Sequence, residues 1–176
     1  MPLVLKIALV CVVLVAAIYD LKFRRIPNWL SLSGMVLGAG FNALLFGWHG
    51  LEDAGLGLLC AVAIYLPLYL IHGMGAGDVK LMAAVGTIAG PHDWFEIFVA
   101  TAIIGGVISL TVVASKNRLT QTLQNVAVIA GELLHFRSPS SSDSTLSFRH
   151  RDAIGLPHAA AIASGCIVYL LFNASR

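Results

Sequence analysis

The sequence predicts an all-α protein that is embedded in a membrane and crosses it about six times. Hydrophobic residues make up 58% of the 176 residues and charged residues only 11%, whereas soluble domains have about 25% charged residues. Apolar runs suited to a bilayer core of about 30 Å recur along the chain. The few lysines and arginines are clustered between these runs. The net charge of +2 gives no reason to expect nucleic acid as a partner.

Six apolar segments account for the predicted crossings. They are 2–19, 29–47, 55–72, 79–90, 95–114 and 155–173. The first has the early lysine and apolar core of a signal peptide. It lacks a clear A-x-A site and continues to Tyr19, so we interpret it as a retained span. The fourth is the shortest, because a helix over 79–90 would cover only about 18 Å.

The positions of the basic residues indicate that segment 79–90 crosses the membrane. Lysine and arginine occur at 20–28 and again at 115–154, whereas the turns at 48–54 and 91–94 have none. Loops rich in these residues face the cytoplasm. The two basic loops should therefore share a side, which requires an even number of crossings between them. This favours six spans, with both chain ends on the outer side.

The loop at 115–154 has two parts. The stretch "RLTQTLQNVAVIAGELLHFR" places apolar residues near helical spacing and predicts a helix on the membrane surface. The stretch "SPSSSDSTLS" is typical of a flexible, Ser-rich linker. A plain connector and a substrate-handling element are equally good interpretations of this cytoplasmic loop.

Two acids, Asp20 and Asp78, stand at the edges of apolar segments. Asp20 ends the first segment, and Asp78 opens the fourth after the glycine-rich stretch "GMGAGDVK". Two segments separate them, so both carboxylates should lie near the cytoplasmic boundary whether or not 79–90 crosses. Ionisable groups at membrane depth are costly and usually functional. Two adjacent carboxylates share a proton, so one can activate water while the other polarises a carbonyl, without a cofactor or metal.

Each acid also has an ordinary structural interpretation. Asp20 could pair with Arg24 at the i+4 position, and Asp78 could cap the helix that it opens. The glycines at Gly75 and Gly77 favour the catalytic interpretation, because residues without a Cβ permit the close approach of a substrate strand.

Three nearby residues have open roles. Lys80 could act on the Asp78 carboxyl or contact lipid phosphate. Asn28 follows Pro27 and could cap the second helix. His72, before the glycine-rich turn, is more typical of an interfacial side chain than of a catalytic one.

The two acidic neighbourhoods together resemble the prepilin peptidases (type IV leader peptidases), a family of GxGD intramembrane aspartyl proteases. In "YDLKFRRIPNWLSL", Asp20 is followed by Ile26-Pro27-Asn28 at the family's spacing. The stretch "GAGDVKLMAAVG" fits the family's most specific signature. The order of spans matches except at 115–154. The last segment, "GLPHAAAIASG", looks like the family's last helix, but His158 stands where a tyrosine is expected, so it is assigned no role.

The resemblance implies that Asp20 and Asp78 are the catalytic aspartates. Supporting motif residues are Gly75, Gly77, Lys80, Pro27 and Asn28. The implied reaction removes the short basic leader of pilin and pseudopilin precursors at the cytoplasmic face of the bacterial inner membrane. The small size and "IPNWLSL" look most like the peptidases of tight-adherence (Flp) pilus systems. Implied partners are these precursors and the lipid bilayer, and a homo-oligomer or contact with the pilus-assembly machinery stays open.

Larger members of the family carry paired C-x-x-C motifs in an N-terminal region and methylate the new N-terminus. This chain starts at its first span, and Cys11, Cys60 and Cys166 lie in apolar runs without that spacing. We therefore expect one peptidase domain over 1–176, without methyltransferase activity, a disulfide or a zinc site.

Three other functions were weighed. A GxGD protease for another membrane substrate, such as preflagellin, is the nearest alternative. A proton-coupled transporter should have acids at several depths, and the middle of the predicted spans has none. A non-enzymatic assembly subunit would leave the match at Asp20 unexplained.

Overall fold

The computed structural model describes residues 1–70, 74–115 and 158–174. Within these ranges the chain forms four helices and no strand, so the predicted all-α class is confirmed. The helices are α1 (Leu3–Phe23), α2 (Asn28–Leu70), α3 (Ala76–Ser115) and α4 (His158–Ala174). The predicted surface helix and Ser-rich linker of the 115–154 loop lie outside the described residues, as does His72.

Two glycines divide the long helices. Gly47 in α2 has φ 65° and ψ −138°, and Gly90 in α3 has φ 77° and ψ 172°. Both are conformations that residues with a Cβ rarely adopt. We therefore divide α2 into α2a (28–46) and α2b (48–70), and α3 into α3a (76–89) and α3b (91–115).

The chain reverses at Gly47. Gly50 packs directly against the backbone carbonyl of Asn42, a contact that a continuous helix could not make across eight residues. The six helical pieces follow the six apolar segments of the sequence. By length and composition, Leu3–Phe23, Asn28–Leu70 and Ala76–Thr111 could each cross a membrane, and His158–Asn173 is a shorter apolar helix. The protein is thus a membrane protein, and the number of crossings stays a prediction.

Helix α3a lies at the centre of the described helices. All residues from 81 to 88 are buried. A Cβ on Gly34 of α2a would lie 3.1 Å from the Ala84 side chain, and Gly57 of α2b packs against the carbonyl of Gly86. Small residues at such crossings let membrane helices approach closely. This position agrees with the short and largely apolar character of segment 79–90, whose one charged residue, Lys80, is exposed at its start.

The end of α3a near Gly90 is fixed by hydrogen bonds from a side-chain amide. Asn42 of α2a is only 5% exposed, and its Nδ2 donates to the carbonyl oxygens of Thr87 at 3.1 Å and Ile88 at 3.2 Å. The Thr87 carbonyl has no ordinary helical donor, because Pro91 stands four residues later and lacks an N–H. Asn42 thus supplies the hydrogen bond that the break at Gly90 removes.

The chain divides into two compact units, Met1–Gly105 with Pro157–Arg176, and Gly106–Leu156. The first unit contains both acids and all the packing described above. In the second, the described residues continue α3b, where the Ser115 hydroxyl donates to the Thr111 carbonyl at 2.7 Å.

Candidate active site

Asp20 lies in the last turn of α1. The helix ends at Arg24, which has φ 50° and donates its backbone N–H to the Asp20 carbonyl at 2.8 Å. The half-buried Asp20 carboxylate accepts a hydrogen bond from the backbone N–H of Ala159 on α4, with a distance of 3.2 Å to Oδ2. The ion pairs in the described part of the chain do not include one between Asp20 and Arg24. The carboxylate is therefore oriented by α4, and the i+4 alternative is not supported.

Asp78 is the third residue of α3 and is 8% exposed. Its backbone N–H donates to the Gly75 carbonyl at 3.1 Å. Gly75 therefore occupies the N-cap position, and the alternative that Asp78 caps this helix is wrong. The Asp78 carboxyl instead reaches back to the backbone N–H of Gly75, so it takes part in the start of this helix without occupying the N-cap position.

The two glycines of the second motif provide space on different sides. A Cβ on Gly75 would lie 3.2 Å from Oδ2 of Asp78, which is closer than most Cβ contacts. A Cβ on Gly77 would lie 3.2 Å from the Cβ of Ile26. The first glycine therefore leaves room for the acid, and the second lets α3a pack against the connector that follows Asp20.

The structure brings Asp20 and Asp78 to the same end of the bundle. Asp78 is close enough to interact electrostatically with Asp20 of α1 and with His158 of α4. The buried Tyr65 of α2b also interacts with Asp78. The electrostatic neighbours of Asp78 among the described residues thus come from α1, α2b and α4.

The supporting motif residues form a neighbouring contact. Lys80 donates from Nζ to Oδ1 of Asn28 at 2.9 Å, and both side chains are exposed. Lys80 makes no ion pair with Asp78 among the described residues. The Asn28 oxygen is engaged by Lys80, while the Pro27 carbonyl accepts the N–H of Leu30 at 3.1 Å as α2 begins.

An open depression of about 400 Å³ lies at the connector between α1 and α2. It is lined by Tyr19, Phe23, Arg25, Ile26, Pro27 and Asn28. These are residues of the connector between α1 and α2 and of the helix ends that flank it. The depression is mostly apolar. One of its lining residues, Tyr19, directly precedes Asp20 in the sequence.

The position of His158 next to the residue that binds Asp20 was not predicted from the sequence. The structure places it at the start of α4, next to Ala159, whose N–H binds Asp20. The signal was present, since His158 is an ionisable residue at the edge of an apolar segment, as Asp20 and Asp78 are. It was discounted because it departs from the residue that the resemblance led us to expect.

The arrangement has the components for acid–base chemistry. Two nearby carboxylates disfavour double ionisation, so one can be protonated while the other is ionised. The described residues contain no group of three or more His, Cys, Asp or Glu side chains that could hold a metal ion. The two carboxyl groups can transfer protons between water and a substrate.

Residues 7–110 match the type IV leader peptidase family, and this range includes both aspartates. The chain belongs to this family. The family predicted from the sequence is therefore confirmed. No solved structure shows a significant match to the chain.

Several curated relatives are similar to this chain, and each is named prepilin leader peptidase/N-methyltransferase. The protein from Escherichia coli (strain K12) is 31% identical over 104 residues, covering 55% of this chain and 45% of the relative. The protein from Aeromonas salmonicida (strain A449) is 30% identical over 113 residues, covering 60% and 38%. The protein from Bacillus subtilis (strain 168) is 27% identical over 158 residues, covering 85% and 60%. The chain thus spans about half the length of the curated relatives it matches.

Proposed function

We propose that this chain is an aspartic endopeptidase that removes the leader of pilin or pseudopilin precursors, with Asp20 and Asp78 as its catalytic pair. One observation carries the proposal. Two acids that are far apart in the sequence meet at one end of the bundle, in a chain that belongs to the leader peptidase family. The substrate class comes from the names of the relatives.

The proposed mechanism uses the pair as general base and general acid. The ionised carboxylate takes a proton from water, whose oxygen attacks the scissile carbonyl carbon. The protonated carboxyl gives its proton to the carbonyl oxygen. When the tetrahedral intermediate collapses, the C–N bond breaks, the carboxyl that took the proton from water gives it to the leaving amine, and a hydroxyl of the intermediate returns a proton to the other carboxylate. The hydrogen bond from Ala159 fixes one carboxylate before substrate arrives.

The site has room for an extended substrate. Gly75 has an exposed backbone next to Asp78, and the depression at the connector after Asp20 presents an apolar surface. We propose that the residues flanking the scissile bond lie between these two surfaces. Lys22, Arg24 and Arg25 follow Asp20 directly, which supports a site at the cytoplasmic face.

We further propose that this chain cleaves without methylating. The support is the arrangement of its cysteines. Cys11 lies in α1, Cys60 in α2b and Cys166 in α4, without the paired C-x-x-C spacing of larger family members.

One assay tests both proposals. The purified protein in proteoliposomes is given a precursor with a basic leader and one apolar helix, together with labelled S-adenosylmethionine, and the products are examined by mass spectrometry. We expect a single cut between leader and helix and no label on the new N-terminus. The Asp78→Asn protein, purified in parallel, is the control for contaminating proteases. An uncut precursor would refute the peptidase, and label on the product would refute the absence of methylation.

A further inference from the structure

Helix α4 begins against Asp20. The backbone N–H of Ala159, the second residue of α4, donates to Oδ2 of Asp20 at 3.2 Å. The first four N–H groups of a helix have no acceptor within that helix. The N–H of Ala159 is therefore free to bind the carboxylate without loss of a bond inside α4. This contact joins two parts of the chain that are 139 residues apart.

Helix α1 does little to orient the Asp20 side chain. Asp20 lies in the last turn of α1, and the partial negative charge at a helix C-terminus is unfavourable to a carboxylate. Within the described residues, the Asp20 carboxylate has no ion pair, and Ala159 is its one hydrogen-bond partner. The direction of this carboxylate therefore depends on where α4 lies.

The position of α4 against α3b is set by a close crossing. Gly165 of α4 lies directly against Thr101 of α3b, and a Cβ on Gly165 would lie 2.8 Å from the backbone nitrogen of Thr101. A second contact of the same helices is looser, because a Cβ on Gly105 would lie 3.8 Å from the Cβ of Ala161. Residues without a Cβ let helix backbones in a membrane approach closely. Gly165 is thus the point at which α4 cannot gain a methyl group without moving.

The distances make the hydrogen bond sensitive to this crossing. A Cβ in ordinary contact lies at least 3.4 Å from its neighbours, so a methyl group on Gly165 requires a shift of about half an ångström. The bond from Ala159 is 3.2 Å long, which is at the upper end of the usual range for N–H···O bonds. Because both residues belong to one continuous helix, a shift of that size is enough to lengthen or misalign the bond.

We propose that α4 positions the Asp20 carboxylate for catalysis, with the N–H of Ala159 as the orienting group and Gly165 as the positioning residue that sets where α4 lies. The catalytic readout of this inference rests on the proposed peptidase function. The inference adds to the site a helix that carries neither acid and that lies outside residues 7–110, the part that matches the family.

The expected effect is on kcat rather than on KM. The contact is made with Asp20 and not with the substrate, so its loss weakens the transition state without removing a bond to the bound precursor. Misplacement of a catalytic group by about 1 Å can cost about 100-fold in rate. We therefore expect kcat to fall by about tenfold to 100-fold, with KM within about twofold of the parent value.

The first test removes the donor at Ala159 and keeps its side chain. Ala159→lactic acid, introduced by nonsense suppression during cell-free synthesis, replaces the amide N–H by an ester oxygen. The measurement is kcat and KM for precursor cleavage in proteoliposomes. The matched control is Ala163→lactic acid, at a buried alanine four residues later, which loses a bond inside α4 and should keep kcat. An unchanged kcat in the Ala159 variant would overturn the proposal, as would equal losses in the two variants.

The second test moves α4 and leaves Ala159 intact. Gly165→Ala should lower kcat as the ester does, because the added Cβ meets the backbone of Thr101. Gly105→Ala is the control at the same two helices, since its Cβ would make an ordinary contact. Equal kcat values in the two variants would refute the role of Gly165. If Gly165→Ala does not accumulate in membranes, the ester variants decide the proposal.

The third test needs no substrate. Solid-state NMR measures the dipolar coupling between alanine amide nitrogens and aspartate carboxyl carbons in labelled protein, and the part that disappears in Asp20→Asn is assigned to Ala159 and Asp20. This coupling should be weaker in Gly165→Ala than in the parent protein and unchanged in Gly105→Ala. If it responds in this way but no precursor is cut, the proposed function fails and the positioning by α4 stands. If it is the same in Gly165→Ala as in the parent protein, the positioning role fails even where cleavage proceeds.

Discussion

A buried polar side chain lies at each end of α3a, Asn42 of α2a at one end and Asp78 at the other, and the two differ in their surroundings. Near Gly90, the Asn42 amide nitrogen donates to the carbonyl oxygens of Gly38, Thr87 and Ile88 at 2.9 to 3.2 Å. Near Gly75, the Asp78 carboxyl accepts a hydrogen bond from the Gly75 backbone and has the ionisable residues Asp20 and His158 as electrostatic neighbours. A neutral group saturated with hydrogen bonds stabilises a fold, whereas ionisable groups placed together are poised to exchange protons. The comparison indicates a structural role for the amide at one end and supports the proposed chemical role of the acids at the other.

The largest expected effect is a loss of precursor cleavage when the acids at the Asp78 end of α3a are replaced, with no such loss at the Gly90 end. Asp20→Asn and Asp78→Asn should each lower the rate by about 1,000-fold or more, because an amide matches the shape of a carboxyl but cannot make either proton transfer. The double variant should be no worse than either single one, since the two groups act as a unit. The measurement is the ratio of precursor to mature pilin at matched protein levels in membranes.

The same change at the other end provides the control. Asp53→Asn and Asp93→Asn alter acids near Gly90 and should keep most of the activity. Substantial cleavage by either Asp20→Asn or Asp78→Asn would show that the two acids do not act as a catalytic pair. Loss of activity in the controls would show that the two ends are not separate in function.

A second prediction concerns the side of the membrane on which each end lies. Reporter fusions after Arg25 and Lys116 should report the cytoplasm, and fusions after Gly50 and His92 the outer side, because lysine and arginine are concentrated in the first pair of loops. Matched fusions to alkaline phosphatase and a fluorescent protein give opposite signals. A cytoplasmic signal at His92 would place both ends of α3a on one side and leave fewer than six crossings.

A moderate effect on stability is expected at the Gly90 end. Asn42→Leu removes the donor to Thr87 and Ile88 and should lower the free energy of unfolding by about 2 kcal/mol. The readout is reversible unfolding in mixed detergent. As the matched control, Asn173→Leu loses one bond to the Tyr169 hydroxyl and should cost less than about 1 kcal/mol. Equal losses would contradict a special role for Asn42 at the break.

The smallest effect is expected at Lys80. Its bond to Asn28 joins two exposed side chains, so Lys80→Met should slow cleavage by no more than about threefold. Lys80→Arg is the control that keeps the charge. A tenfold loss in Lys80→Met that Lys80→Arg restores would show that this charge acts on Asp78 after all.

Hydropathy and charge were sufficient to predict the helices and the order of the chain. The all-α class and the family are confirmed, and the six apolar segments correspond to the six helical pieces. That Asp20 and Asp78 would lie at one end followed from counting crossings, which needs no knowledge of packing. Their catalytic roles stay a prediction.

Contacts between helices were not predictable, because they depend on the rotation of each helix about its axis. The bond between Lys80 and Asn28, the donation from Asn42 to Thr87 and the donation from Ala159 to Asp20 all join distant parts of the chain. A single sequence gives hydropathy along a helix but not which neighbour each face meets. One local signal was available, since Pro91 leaves the Thr87 carbonyl without a helical donor.

The burial of α3a on all sides has a consequence for which substitutions the chain tolerates. Helices that face lipid accept almost any apolar side chain, because hydrocarbon adapts to its shape. The residues from 81 to 88 face only protein, so shape decides which of them can change. In a saturation library, this segment should reject leucine or phenylalanine at Ala84 and Gly86 as strictly as it rejects lysine. Of the described helices, α3a, which carries Asp78, should therefore be affected least by a change of lipid. It should be the most sensitive to a change in the helices packed against it.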